Sequence, residues 1–272
     1  MLIITCAKFR AVMLETLDSM STDSFLMAMT RFLSRNPRPK KIRSDNGGNF
    51  TKSNTEIKRM LGAIKEERVR KTFSQIEWDF IPPYSAHRGG FYERLIALVK
   101  DGMRAVTPQG GITMEQFRTF LSGVERTINN RPIGGNMGRD FLDFEPITPA
   151  HFLMGNKATD IAHMPEQEEF GPLRAWYHVQ KILDDFWRRA CREITPHMLP
   201  LNRWARPKKD MRPGDVVLVL DGEERASWPM GRITEVEKHP RDGLVRTVTI
   251  KLKNRTVRRA VQGVLLLVAA VT

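Results

Sequence analysis

Two stretches of the sequence decide its predicted fold: KIRSDNGGNF at Lys41–Phe50 and IPPYSAHRGGFYERLIALVK at Ile81–Lys100. The first contains a short strand that ends on an acid, Asp45, and an Asn-Gly-Gly turn follows at once. Before the second, a strand over Trp78–Ile81 is stopped by two prolines, and a Gly-Gly turn then leads into a helix with Glu93 near its start. An acid at a strand end and an acid in the first turn of a helix are therefore expected at the same edge of a sheet.

Oxygen ligands at such an edge are what hard divalent cations such as Mg²⁺ or Mn²⁺ require, so Asp45 and Glu93 are the candidate metal-binding pair. On the helix of Glu93, Lys100 follows after seven residues and Arg104 after eleven, which places all three side chains on one stripe. Such a stripe would hold a metal ion at one end and nucleic-acid phosphates along the rest. A solvated face with weak ion pairs would show the same pattern.

The chain resembles the integrase of the BEL/Pao group of LTR retrotransposons, and the resemblance runs over nearly its whole length. The Asp-Asn-Gly and His-x-Gly-Gly-x-x-Glu elements, in this order, are its most specific part. The matching segments are RAVMLE (Arg10–Glu15), SDNGGNF (Ser44–Phe50), PPYSAHRGGFYE (Pro82–Glu93), NNRPI (Asn129–Ile133), EPITPAHFLMG (Glu145–Gly155), FWRRACREI (Phe186–Ile194), PGDVVLV (Pro213–Val219) and WPMGRI (Trp228–Ile233).

The resemblance implies an α/β fold: a ribonuclease H-like integrase core with a mixed sheet and flanking helices, then a helical linker and a small all-β SH3-like barrel. The expected domains are residues 1–160 for the core without its first strand, 161–212 for the helical and basic linker, and 213–272 for the nucleic-acid-binding barrel. The implied reaction is metal-dependent strand transfer, which joins element DNA to the DNA of a chromosome. The implied partners are the element ends and target DNA in the nucleus, and the chain would work as a homo-oligomer.

By the same resemblance, Asp45 and Glu93 match two of the three catalytic acids of the family and would bind Mg²⁺ or Mn²⁺. Five further residues would shape the loops beside them, and His87 would orient its loop rather than act as a base. The loop-shaping residues are Asn46, Gly47, His87, Gly89 and Gly90.

One departure from the family concerns the first catalytic acid, which sits on the opening strand of the core. The segment MLIITCAKFRAV aligns with the second strand, and the nearest carboxylates, Glu15 and Asp18, do not fit the position of that acid. The zinc-binding His/Cys module that precedes integrase cores in this family is unmatched as well. We therefore expect no catalysis by this chain alone, either because it is a fragment of a longer polyprotein or because its gene has lost the catalytic start.

This departure leaves two hypotheses open: an integrase region that acts only within a longer protein, and a remnant or domesticated nucleic-acid-binding protein without catalysis. A ribonuclease H that acts on hybrids fits less well, because the Pro-Pro/His-Gly-Gly segment and the C-terminal barrel are typical of integrases.

Composition favours a polyanionic partner. The 272 residues include 44 Lys and Arg against 31 Asp and Glu, a formal net charge of +13. The two cysteines are far apart without metal-ligand spacing, which fits a reducing compartment. No signal peptide is found, and the apolar segment at 261–271 is too short to span a bilayer, so no membrane partner is expected. No small-molecule substrate is expected either.

Basic residues concentrate in the C-terminal part. Arg188 and Arg189 lie on a helix predicted over Leu173–Ile194, where they either contact phosphates or form a solvated face. Short β-branched runs separated by turn signals predict a barrel over Gly214–Leu267, whose strands would bind duplex backbone without sequence readout. A protein- or histone-binding barrel remains the alternative. The candidate DNA-binding residues of this barrel are Arg232, Arg246, Lys251 and Arg258.

The remaining elements follow from apolar spacing and turn signals. Leu2–Cys6 and Ala11–Leu17 are predicted to form a hairpin, and an N-cap cluster at Ser21-Thr22-Asp23 starts a helix that ends before Pro37. A second long helix is predicted over Met114–Asn130, and the Gly-rich segment Gly134–Phe144 is predicted to be an exposed loop.

Overall fold

The computed structural model describes residues 1–19, 21–44, 76–80, 90–108, 110–136, 145–155, 174–194, 210–220, 228–240 and 243–270. The chain is a mixed α/β protein and divides into two compact units, which are described separately. One unit comprises Met1–Thr5 with Met13–Ala97, and the other comprises Cys6–Val12 with Leu98–Thr272. No helix within the described ranges is long and apolar enough to cross a membrane.

In the first unit the structure describes short strands, one whole helix and the start of the helix that begins at Gly90. Strands β1 (Leu2–Thr5) and β2 (Val12–Glu15) form the predicted hairpin, and helix α1 spans Thr22–Arg35. The side chain of Ser21 caps α1 by accepting a hydrogen bond from the Ser24 N–H, as the N-cap cluster predicted. Strands β3 (Lys41–Ser44) and β4 (Glu77–Phe80) pair in parallel.

Glu15 is tied to helix α1. Its carboxylate is buried at the end of β2 and accepts from Arg31 Nε at 3.0 Å, and it forms a second ion pair with Arg35. A buried carboxylate needs this kind of compensation, because its desolvation would otherwise be costly. The carboxylate of Glu15 is thus committed to α1.

Three long helices and one short helix follow in the described part of the chain. Helix α2 spans Gly90–Val106, α3 spans Met114–Asn129, and the short helix α4 spans Pro149–Met154. Helix α5 spans Arg174–Arg189 and continues as one π-helical turn over Ala190–Ile194. The predicted helices over 114–130 and 173–194 are therefore confirmed to within a residue or two. Within the second unit, Phe120 of α3 meets Phe186 of α5 edge to face, with ring centroids 6.2 Å apart.

The Asn-Arg segment that ends α3 anchors the chain near β2. Asn129 is buried and pairs with both main-chain groups of Val12: its Oδ1 accepts from the Val12 N–H at 2.8 Å, and its Nδ2 donates to the Val12 carbonyl at 2.6 Å. The guanidinium of Arg131, also buried, donates to the carbonyls of Ile128 at 2.6 Å and Arg10 at 2.9 Å. Asn129 and Arg131 of the NNRPI motif therefore have a structural role, because they satisfy main-chain groups of Val12 and Arg10, which are remote in sequence.

Asn129→Ala is expected to lower the free energy of unfolding by about 2 kcal/mol, because it leaves the N–H and C=O of Val12 buried without their partner. Urea denaturation followed by circular dichroism measures the loss. Ser122→Ala on the same helix, where the side chain is exposed, is the control and should stay within about 0.5 kcal/mol. Equal midpoints for the two variants would contradict the anchoring role.

A five-stranded antiparallel sheet forms the C-terminal part. Its strands are β7 (Val216–Val219), β8 (Met230–Lys238), β9 (Val245–Lys251), β10 (Thr256–Ala260) and β11 (Val264–Val268). Their spatial order is β10-β9-β8-β7-β11, and a 3₁₀ turn over Val261–Gly263 precedes β11. The five strands fill the segment Gly214–Leu267, in which short β-branched runs predicted strands, and the last strand ends one residue beyond it. This sheet is not closed into a barrel within the described residues.

Strand β7 is buried on both faces. Val217 and Val219 belong to a core with Ile233, Val248 and Ile250. The alternate residues Leu218 and Leu220 belong to a second core. It contains Trp187 of α5, Cys191 of the turn that continues α5, and Trp228, which precedes β8. The all-apolar run VVLV is therefore explained, since a strand covered on both faces shows no alternation.

The segment predicted as a Gly-rich loop differs from the prediction at its start. Strand β5 (Gly134–Asn136) pairs antiparallel with β6 (Glu145–Ile147), and Ile133 N donates to the Ile147 carbonyl at 2.9 Å. Glycines carry no side-chain pattern, so only the pairing of main-chain groups reveals this strand. Residues 137–144 lie outside the described ranges, as do the predicted domain boundary near 160–171 and the basic segment at 203–209.

Candidate functional site

The predicted carboxylate edge is described only in part. Parallel pairing of β3 and β4 brings their carboxyl ends to one edge, and Asp45 is the next residue in sequence after β3. Glu93 lies in the first turn of α2, as predicted. Asp45, Asn46, Gly47, His87 and Gly89 lie outside the described residues, as does the side chain of Glu93, whereas Gly90 is the first residue of α2. The convergence of the two acids therefore stays a prediction.

The donor set for a metal ion can be tested only outside this pair. Among the residues that the structure describes, no group of three His, Cys, Asp or Glu side chains could hold a metal ion. Glu15 is committed to its two arginines. Two carboxylates at a strand end and a helix start suit one hard cation, and Asp45 and Glu93 would be those ligands.

Helix α2 presents its cations to solvent. Val99 and Met103 are buried, whereas Lys100 and Arg104, four residues apart, are exposed on the other side of the helix. Arg104 Nη1 lies 3.4 Å from the carboxylate of Asp101, an exposed pair that contributes little to stability. Lys100 and Arg104 are therefore both exposed at helical spacing, and their shared stripe with Glu93 stays a prediction.

Helix α5 carries basic residues at its C-terminal end. Arg188 is exposed and pairs with Asp185 at 3.0 Å, Arg189 is half-buried, and Arg192 is exposed. Cations at a helix C-terminus also interact favourably with the helix dipole. The ion pair of Arg188 with Asp185 is what a solvated helix face would show. Arg192, one turn further on, adds a second exposed charge.

One face of the five-stranded sheet joins α5 to the basic strand residues. Leu218 pairs with Met230, Val216 with Arg232, and Arg232 with Lys251. Directly paired residues share a face, and residues two apart on a strand share it too. Arg232 and Lys251 therefore extend the same face that α5 covers at Leu218.

We call this surface the basic face. It comprises Arg232, Lys251 and, on β10, Arg258, whose partner Thr249 lies two residues from Lys251, and the end of α5, which packs on this side through Trp187 and Cys191 and carries the exposed Arg188 and Arg192. The same register places two exposed acids, Glu235 and Glu237, on this face. Lys251 and Arg258 are exposed, Arg232 is half-buried, and Arg258 pairs with Glu237. The hairpin that joins β9 to β10 carries two more exposed cations, Lys253 and Arg255. Its turn is closed by a hydrogen bond of 2.8 Å from Leu252 N to the Arg255 carbonyl. Arg246, at the other end of β9, is exposed as well.

Asp215, a buried acid, was not singled out by the sequence. Asp215 Oδ2 accepts from Arg212 N at 2.9 Å, and its Oδ1 accepts from Ala270 N at 2.8 Å, so one carboxylate fastens the start of β7 to the chain after β11. The Pro-Gly-Asp turn was visible in the sequence, but its remote partner was not. The side chain supports the sheet and takes no place in the basic face.

The buried Arg131 was also missed as a separate feature. Burial and, to a lesser extent, the positive charge of Arg10 lower the pKa of Arg131 to about 9. The guanidinium is therefore still charged at neutral pH. Its hydrogen-bond partners are the carbonyl oxygens of Ile128 and Arg10. A lone arginine after two asparagines gives no sequence signal for this burial.

Together these observations define a mixed α/β protein with a helix-backed antiparallel sheet, one face of which carries Arg232, Lys251 and Arg258. Residues 174–267 match the model of a family of unknown function, DUF5641. The match begins at the first residue of α5 and ends within β11, so it covers the helix together with the sheet on which it packs. A comparison with curated proteins finds no match.

Proposed function

We propose that this chain binds DNA as part of a BEL/Pao-type retrotransposon integrase. The observation that carries the proposal is the basic face, where strand cations and the end of α5 lie on one side of the sheet. Cations carried by neighbouring strands suit the phosphate backbone, which is evenly charged and carries no sequence information itself. The partners would be element ends and target DNA in the nucleus, bound by a homo-oligomer.

The fold details proposed here are a ribonuclease H-like core and an SH3-like barrel. In favour of the barrel, β7 lies between β8 and β11, so the first strand of the sheet neighbours the last, and the 3₁₀ turn leads into that last strand. In favour of the core, a hairpin, a helix and a parallel strand pair follow one another in the first unit.

The catalytic part of the proposal assigns roles to four residues. Asp45 and Glu93 would hold Mg²⁺ or Mn²⁺, which when bound activates the attacking hydroxyl and stabilises the leaving oxygen of a phosphodiester. Lys100 and Arg104, exposed further along the helix of Glu93, would hold phosphates beside that site. Because no residue matches the first acid, we propose that these 272 residues carry out no strand transfer alone.

The second candidate function is a nucleic-acid-binding protein without catalysis. It is favoured by Glu15, the acid nearest to the missing position, which is committed to Arg31 and Arg35. A strand-transfer assay with Mn²⁺ and a mock element end separates the candidates when it is run on this chain and on a chain extended by the sequence encoded upstream. Activity only in the extended chain supports the integrase, and robust activity of the 272 residues would overturn the proposed inactivity.

DNA affinity should fall steeply with salt, and Lys251→Gln with Lys253→Gln should reduce the log–log slope by about 2, because each lysine that neutralises a phosphate contributes about one ion. Fluorescence anisotropy with a labelled blunt duplex over a salt series measures it. The control removes the same charge elsewhere, through Lys41→Gln with Lys181→Gln, both exposed. A salt-independent affinity in the parent chain, or an equal loss of slope in the control, would count against the basic face.

A further inference from the structure

An exposed aromatic stack lies in the second unit. Phe9, in the turn after β1, and Phe152, on α4, stack with ring centroids 3.8 Å apart and planes 7° from parallel. Phe152 is 45% exposed, which is unusual for a large aromatic side chain. The ammonium of Lys8 lies 5.2 Å from the centroid of the Phe9 ring, in the range of a cation–π contact.

The turn that carries Phe9 is held rigidly. Arg10 adopts a positive φ of 54°, which is strained for a residue with a side chain. The turn is closed by two main-chain hydrogen bonds at 2.8 Å, from Arg10 N to the Cys6 carbonyl and from Cys6 N to the Ala11 carbonyl. The buried Arg131 then fixes the Arg10 carbonyl at 2.9 Å. A buried charge and a strained residue thus hold the aromatic turn in place.

From this geometry we infer that Phe152, backed by Phe9 and Lys8, is a platform for an unpaired nucleobase of single-stranded DNA. Because Phe9 covers one face of the Phe152 ring and the residue is still 45% exposed, we assign the third aromatic layer to the opposite face. Every base offers a flat π surface, so such a platform needs no particular sequence.

The positive charge beside the stack favours a nucleic acid over an apolar protein segment as its ligand. The segment Cys6–Val12 contains Lys8 and Arg10 and no acid, so its charge complements the phosphate that accompanies each base. An apolar protein segment would gain from Phe152 but not from the exposed ammonium beside the stack. The inference rests on the proposed function and adds to it: the chain would hold the single-stranded tail of a DNA end as well as the duplex.

The test compares blunt duplex with the same duplex carrying an unpaired tail of about six thymidines. The first unpaired position holds 2-aminopurine, whose fluorescence is quenched by stacking. We expect the parent chain to bind the tailed DNA about tenfold more tightly than the blunt DNA, with quenching, since stacking of one base gives a gain of this order. Phe152→Ala should lose both the gain and the quenching, while its affinity for blunt duplex stays unchanged.

Three further variants make the result interpretable. Phe152→Trp should keep the gain, and Phe152→Leu, which keeps apolar volume, should lose it together with the quenching. Met27→Ala removes an equally exposed apolar side chain from the other unit and should change neither. Because the side chain of Phe152 is exposed, its variants should melt within a few degrees of the parent chain.

The outcomes separate this inference from the proposed function. If the parent chain binds blunt duplex but gains nothing from the tail, or if Phe152→Ala keeps the gain, the platform is refuted and duplex binding stands. If neither DNA is bound, the proposed function fails and the platform fails with it. If Phe152→Ala instead abolishes self-association of the chain and leaves tailed-DNA affinity unchanged, the surface is a protein interface and the inference is wrong.

Discussion

Trp187→Ala is expected to lower the free energy of unfolding of the second unit by about 3–5 kcal/mol, a large part of the stability of an ordinary domain. Trp187 is 1% exposed on α5, and its ring meets that of Trp228 edge to face with centroids 4.5 Å apart. Truncation would leave a cavity between α5 and the face of the sheet that carries Leu218 and Leu220. Circular dichroism in urea is the suitable measurement, because Trp187 itself contributes to the fluorescence.

Two neighbouring variants make this prediction specific. The indole N–H of Trp187 finds no hydrogen-bond acceptor in the part of the chain that the structure describes, so Trp187→Phe sacrifices volume but no hydrogen bond and should cost about 1–2 kcal/mol. Arg188→Ala removes only an exposed ion pair with Asp185 and should stay within about 0.5 kcal/mol. If Trp187→Ala unfolds at the same urea concentration as Arg188→Ala, then α5 does not stabilise the sheet.

This dependence bears on how the chain is divided. The sequence predicted a linker over 161–212 and a separate barrel over 213–272, and those bounds stay a prediction. Helix α5, placed in that linker, nevertheless covers one face of β7 through Trp187 and touches α3 through Phe186. A helix whose apolar residues are spaced by three and four must bury that apolar stripe against other elements. The spacing does not tell which elements these are.

Much of the fold was predictable because it depends on local patterns. Apolar spacing located α3 and α5, the cap at Ser21 located α1, and turn signals separated β7 to β11. Strand β5 was missed because glycines carry no pattern.

The candidate site was predictable only where residue type alone indicates the chemistry. Cations could be counted, but their one-sided arrangement depends on strand register, such as the pairing of Arg232 with Lys251. The anchoring by Asn129 and the stack of Phe9 on Phe152 join segments more than a hundred residues apart, and nothing local in the sequence marks such pairs. Asp45 and Glu93 were predicted from motifs, and their convergence stays a prediction.

Register also makes one glycine of β8 sensitive. Gly231 faces the core of the sheet next to Arg232, where β9 passes close by. A Cβ atom added at Gly231 would collide with Ile250 Cγ2, and it would lie 2.6 Å from the carbonyl oxygen of Lys251 and 2.9 Å from Leu252 Cδ2. A flexible side-chain end could move aside, but the Lys251 carbonyl belongs to the neighbouring strand and cannot move without disturbing the pairing of β8 with β9.

Gly231→Ala is therefore expected to cost about 3 kcal/mol of unfolding free energy, at the upper end for an overpacked core. It should also weaken DNA binding, because displacement of Lys251 disrupts the alignment of Arg232 and Lys251 on the basic face. Gly263→Ala is the matched control: its Cβ would meet nothing within 4 Å, so stability and DNA affinity should both be unchanged. If Gly231→Ala loses stability yet binds duplex with the affinity of the parent chain, measured below its unfolding transition, then the register of β8 and β9 does not position the DNA contacts.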